Sequence, residues 1–328
     1  MYESLQLRYI HTAGTKSLKE KIATFYNNAK PENIFVTNGS AEAQTALTSA
    51  IFEPGDEIVY VTPNYMLIAG LAESYGVKVV EVPLKEENKW QLNTEDLKKA
   101  VTPSTKMICV CNPNNPTGTI FSDESMESIV EIAREVDAWL FSDEIYRGAE
   151  HNNILTKSFW GMYEKVIVTC GLSKAFALPG LRIGWILAPE EIAAKVWPYH
   201  DYMTICATTI SDKLASIALE PEIREKIFAR NRALAQRNLE IIKDWVNQQD
   251  GVLEFIPPQA GSFAFVKYNF DMPSREFVDR MMKEESVFVV PGDCFGLENY
   301  LRISFGSEEN FLKEGLNRIS KVINKIVK

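Results

Sequence analysis

Seven short apolar runs, at residues 34–37, 57–62, 77–82, 106–111, 138–141, 165–169 and 181–188, alternate with helical patterns over the first half of the chain. Runs so short and so continuously apolar fit strands buried on both faces, the condition of a parallel sheet covered by helices. The helical stretches supply that cover. Residues 17–27 carry Leu18, Ile22, Phe25 and Tyr26 on one helical face, and residues 123–136 carry Met126, Ile129, Val130 and Ala133 on another. The expectation is an α/β fold, a mostly parallel sheet sandwiched by helices. At 328 residues with 46% hydrophobic content, the chain is long enough for one large domain and a smaller one. An Arg/Glu/Leu-rich helical pattern at 221–248, about 40 Å long at the usual rise, links the two. Beyond it, strands near 252–256, 262–267, 287–290 and 301–305 and helices near 274–283 and 308–326 predict a small C-terminal α/β domain. The expected division is 1–220 and 221–328.

Open sheets of this kind bind ligands beyond the carboxyl ends of their strands. Lys174 stands at such an end, in the polar turn of Gly171-Leu172-Ser173-Lys174 that follows the run 165–169. A lysine amine shifts its pKa readily and condenses with aldehydes, and Arg182 further along offers a permanent fork for a phosphate dianion. Amine plus phosphate clamp suggests pyridoxal phosphate. Alone, the segment reads equally well as a surface lysine and an arginine in a structural ion pair. Two further strand ends give the context. Cys111-Asn112-Pro113-Asn114-Asn115-Pro116-Thr117-Gly118 must be a rigid loop, since its prolines and glycine continue neither strand nor helix. Ser142-Asp143-Glu144-Ile145-Tyr146-Arg147-Gly148 puts a carboxylate and a phenol after the run 138–141. A buried carboxylate needs a cationic partner, and a pyridinium nitrogen is one. Asp143 would hold that ring protonated, while Asn115 and Tyr146 donate hydrogen bonds to its phenolate oxygen.

With Asn-Pro-x-Asn-Pro-Thr-Gly, Asp-Glu-x-Tyr and Ser-Lys followed by Arg182 in this order, the chain resembles the class I/II aminotransferases over nearly its whole length. These are pyridoxal-phosphate enzymes of fold type I. The resemblance implies that Lys174 forms the Schiff base with the cofactor and then carries the substrate's α proton. It makes Lys174, Asp143 and Tyr146 the catalytic set. It gives the phosphate to Ser173, Arg182 and the helix start Asn38-Gly39-Ser40-Ala41, and the ring face to Tyr65. Arg302 would take the substrate α-carboxylate in a two-pronged pair, with Asn115 as a second substrate-binding residue. Tyr9 would reach the phosphate of a neighbouring subunit, which implies a homodimer with shared sites. Read without the resemblance, Ser40 is an ordinary helix N-cap and Tyr65 a core aromatic. Arg302, inside an apolar strand, then wants an anion that a structural salt bridge could supply.

The implied reaction transfers the amino group of an amino acid to a 2-oxo acid. A lyase or cyclase on the same scaffold is the alternative, because the run from Asn112 to Trp185 resembles a branch that includes capreomycidine synthase, which cyclises a hydroxylated arginine. A non-catalytic pyridoxal-phosphate-binding protein is the third reading. Two features depart from the family's pattern. Gly171 stands where many members have a hydroxyl residue, and Met1-Tyr2-Glu3 opens almost directly on the Tyr9 segment, so the usual N-terminal arm is expected to be absent. The segment His200-Asp201-Tyr202 could line a side-chain pocket.

A net charge of −9 without a basic run argues against nucleic acid as a partner. No stretch is apolar enough for a membrane span or a signal peptide, so a cytoplasmic protein is expected. Five cysteines without Cys-x-x-Cys fit reduced, buried thiols, and three scattered histidines make no metal site.

Overall fold

The computed structural model describes residues 6–327; residues 1–5, where the expectation of an absent arm begins, and Lys328 lie outside them. The larger sheet contains β1 (Ile34–Thr37), β2 (Glu57–Thr62), β3 (Lys78–Pro83), β4 (Thr105–Cys111), β5 (Trp139–Asp143), β6 (Val166–Gly171) and β7 (Gly184–Leu187). Their order is β1-β7-β6-β5-β4-β2-β3. The pairs among β2 to β6 are parallel, whereas β7 runs antiparallel to both β6 and β1. This reversal has a local cause. β6 and β7 are joined by residues 172–183 without a crossover helix, and only antiparallel neighbours can be joined so directly. Lys174 lies on that connection.

Helices cover both faces. Leu18 and Ile22 of helix Lys16–Ala23 and Met126 and Ile129 of helix Asp123–Glu135 pack on one side. Ala43 and Leu47 of helix Ser40–Ile51, Ile68 of helix Leu67–Ser74 and Val196 of helix Glu190–Met203 pack on the other. The predicted strand 181–188 begins late. Pro179–Leu181 forms a 3-10 turn and Arg182 takes a left-handed φ of 51°, so pairing starts only at Gly184 and the guanidinium is turned off the sheet.

The second sheet is antiparallel throughout. It comprises β8 (Leu253–Phe255), β9 (Phe263–Tyr268), β10 (Val290–Pro291) and β11 (Tyr300–Ser304), in the order β10-β11-β9-β8. Of the predicted strand 287–290, only Val290 joins the pairing. Helix Pro221–Asn247 spans the two cores: Phe228 is buried in the first, and Ala235, Leu239, Ile242 and Trp245 in the second. Among the described residues, no helix is long and apolar enough to cross a membrane.

Candidate active site

The loop after β4 is held by its own asparagines. Asn112 Oδ1 accepts the Phe121 N–H at 3.0 Å, and Asn114 Nδ2 donates to the Pro63 carbonyl at 3.1 Å while its Oδ1 accepts from Thr117. Gly118 closes the loop at a φ of 70°, where a Cβ would lie 2.3 Å from Pro258 Cβ. The loop therefore abuts the C-terminal part of the chain. Asn115 is carried across to β11, and Arg302 Nη1 donates to its Oδ1 at 2.9 Å. The guanidinium carbon lies 5.7 Å from the Phe263 ring and 5.6 Å from the Phe295 ring. Arg302 Nε is buried with no partner, and among the described residues no carboxylate pairs with this arginine. The salt-bridge reading of Arg302 is thus not realised, and its demand for an anion stands open.

Asp143 ends β5 and is buried. Its Oδ2 accepts from Gln44 Nε2 at 2.9 Å and its Oδ1 from the Ile145 N–H at 3.1 Å. Burial pushes its pKa up to about 6, against the pull of those two donors and of Lys174. The neighbouring Glu144 is raised to about 7, again mainly by burial, with Oε1 bound by Ser158 and the Phe159 N–H. Both shifts have one sign for stability. Between the unfolded value of 3.8 and about 6, the folded cofactor-free protein keeps a proton on Asp143 that the unfolded chain has released. Stability from this group is therefore full below pH 3.8 and declines as pH rises through that window. Asp143→Asn should cancel the decline. In urea unfolding of the cofactor-free proteins, the variant should gain on the parent between pH 4 and pH 7; an unchanged difference would mean that the Asp143 carboxyl is not raised in the fold.

The start of helix Ser40–Ile51 forms a cradle with β7. Gly39, not Ser40, is the N-cap, and no side chain caps the helix, so the amides of its first turn remain open. The N-cap reading of Ser40 is corrected accordingly: Gly39, at a φ of 92°, turns the chain one residue earlier. A Cβ at Gly39 would lie 2.3 Å from Arg182 Nη2, and one at Gly184 would lie 2.4 Å from the Ser40 amide nitrogen. The same crowding accounts for Gly171. It pairs with Gly184, and a Cβ there would meet the Ile183 carbonyl at 2.8 Å, which leaves no room for a hydroxyl side chain. Arg182 Nη1 reaches Ser173 Oγ at 3.4 Å. An arginine, a serine hydroxyl and free helix amides converging on one glycine turn form an anion site.

Lys174 follows Ser173 and lines a cavity of ≈ 550 Å³ with Tyr146, Phe263 and Arg302. Its pKa is lowered, first by loss of hydration and then by Arg302, with Asp143 opposing. Tyr146 is buried against Phe263, ring centroids 5.0 Å apart, and burial raises its pKa. Tyr65 is 46% exposed, with its ring outside the core, and its carbonyl accepts from Tyr60 Oη at 2.8 Å. Tyr9 is 81% exposed and joins none of these contacts among the described residues.

The segment 200–202 does not line the cavity. It ends helix Glu190–Met203, with His200 fully buried against Phe35 and its Nε2 3.5 Å from Glu42 Oε2, while Tyr202 is 86% exposed. Burial acts to raise Glu42, yet the nearby His200 and hydrogen bonds from Thr204 and the Asn38 amide outweigh it and bring the pKa to about 2. Sequence reasoning also missed Gln44, Gly184, Phe263 and Phe295. Gln44 carried a signal, a lone amide on an apolar helix face; the two phenylalanines, spaced far apart in sequence, carried none.

The class I and II aminotransferase family matches residues 4–319. The chain belongs to this family. An aspartate aminotransferase of Pyrococcus abyssi is 31% identical over 338 residues, covering 98% of this chain and 86% of the relative. Capreomycidine synthase of Streptomyces vinaceus is 26% identical over 97% of this chain and 82% of its own length. A crystal structure of a PLP-dependent aminotransferase from Streptococcus suis superposes with a TM-score of 0.93 at 34% identity, covering 99% of this chain and 86% of that one. The protein is a pyridoxal-phosphate-dependent aminotransferase of fold type I, and its reaction uses an amino acid and a 2-oxo acid. The residues fit that cofactor: the open amides and Arg182 suit its phosphate, the buried Asp143 carboxylate suits a basic ring nitrogen, and Lys174 suits its aldehyde.

Proposed function

We propose that this aminotransferase acts through Lys174, with Asp143, Asn115 and Tyr146 on the cofactor ring, Tyr65 against its face, and Arg182, Ser173, Gly39, Ser40 and Ala41 on its phosphate. Arg302, steadied by Asn115, receives the substrate α-carboxylate. The carrying observation is that Arg302, with no carboxylate partner among the described residues, lines the same cavity as Lys174. When bound, pyridoxal phosphate supplies an electron-withdrawing ring that eases bond breaking at the α carbon.

The rest falls to the chain. Lys174, its pKa lowered, accepts the α proton and returns it, and Arg302 orients the carbon that loses it. Asp143 keeps the ring nitrogen protonated, and Tyr146 and Asn115, whose Oδ1 is taken by Arg302, donate to the ring oxygen. Tyr9 extends to the phosphate of a second copy, giving a homodimer with shared sites, and the large and small domains meet at Pro221. The cytoplasm as working compartment is supported by five free cysteines.

The test is a single half-reaction. Cofactor-loaded protein, given an amino acid and no acceptor, should release one 2-oxo acid per site and retain the nitrogen. Continuous release of ammonia instead would identify elimination and overturn the assignment of transamination to this site.

A further inference from the structure

We propose that Gln44 is a positioning residue of this site, whose side-chain amide keeps the Asp143 carboxylate charged and turned to receive a protonated ring nitrogen. The inference rests on the role of Asp143 given above. Gln44 is buried on the face of helix Ser40–Ile51 that also carries Ala43, Leu47 and Thr48, so its amide must find a partner inside the protein. It finds Asp143 Oδ2 at 2.9 Å and reaches Thr169 Oγ1 at 3.5 Å. Asp143 and Thr169 are register partners on β5 and β6, so one amide ties the helix to both strand ends. The Ile145 N–H holds Oδ1, and two neutral donors thereby fix both carboxylate oxygens.

Neutrality matters here. A lysine or arginine in place of Gln44 would also keep Asp143 ionised, but would satisfy its charge and weaken its pull on a ring proton. Electrostatically, Asp143 is coupled to Lys174, to Tyr146 after β5, and to Tyr60 on β2, Cys111 on β4 and Cys170 on β6. Burial raises the pKa of both thiols and both phenols, which stay neutral, and Lys174, whose charge would pull on Asp143, has its own pKa lowered toward the free amine.

The experiment replaces Gln44 in two ways. Gln44→Met keeps length and removes the donor; Gln44→Glu keeps shape and adds a second carboxyl. In cofactor-free protein, the Asp143 carboxyl is followed by isotope-edited infrared titration. It should titrate about one unit or more higher in Gln44→Met, and higher still in Gln44→Glu. In loaded enzyme, kcat should fall about tenfold or more with KM for the amino acid little changed. An Asp143 titration unmoved in whichever variant folds, with kcat retained, overturns the proposal. Asp143→Asn run alongside separates the two ideas: full activity there would remove the role of Asp143 on the ring while leaving the Gln44–Asp143 coupling measurable.

Discussion

Lys174→Ala should cost this enzyme about 10⁴-fold or more in turnover and abolish covalent capture of the cofactor on borohydride treatment. Among the residues lining the ≈ 550 Å³ cavity, Lys174 is the lysine, and it shares that space with Arg302. Lost hydration and the neighbouring guanidinium both favour its free amine, the form that accepts a proton or attacks an aldehyde. The phosphate cradle proposed above does not involve the lysine side chain, since it is built of Arg182, Ser173 and the amides after Gly39. The variant should therefore still bind pyridoxal phosphate, reversibly and without turnover. Peptide mapping after reduction checks the parent protein: a label on any lysine other than Lys174 would refute the assignment.

Most of this site could be read before any coordinates because its groups stand just after strands, and strand ends are legible. A run such as 106–111 or 165–169 is apolar, short and bounded by prolines, glycines or polar residues, so the position of Asn115 or Lys174 at a sheet edge follows from local pattern. What stayed hidden depends on contacts between distant segments. The absence of a hydroxyl at Gly171 reads in sequence as one lost phosphate ligand, whereas in the fold it is a packing requirement set by Ile183 and Gly184. Gln44 stands out in sequence as a lone amide on an apolar helix face, but its partner appears only when helix Ser40–Ile51 is laid against the end of β5, 99 residues away. The segment 200–202 failed for the converse reason. Its polar residues suggested a pocket wall, but helix Glu190–Met203 turns His200 into the core beside Glu42 and Tyr202 away from it.

Arg302 concentrates the remaining question of how a substrate is held, and a conservative change there should have a large effect. Its Nη1 is engaged by Asn115 and its position is bracketed by the rings of Phe263 and Phe295, so the guanidinium plane is set before any ligand arrives. A lysine retains the charge but not the plane, and cannot present two parallel donors to a carboxylate. Arg302→Lys should lower kcat/KM for amino acids by about 100-fold, because misplacing the α carbon relative to Lys174 costs the chemical step as well as binding. The absorbance of bound cofactor should be unchanged, since Arg302 stands apart from Arg182 and the glycine turn proposed for the phosphate. Amines without a carboxylate provide the control, as they have nothing for Arg302 to hold and should react about equally with parent and variant. Equal losses for amino acid and plain amine would instead make Arg302 a structural strut, tying the Asn115 loop to β11, and would leave the substrate carboxylate to another group.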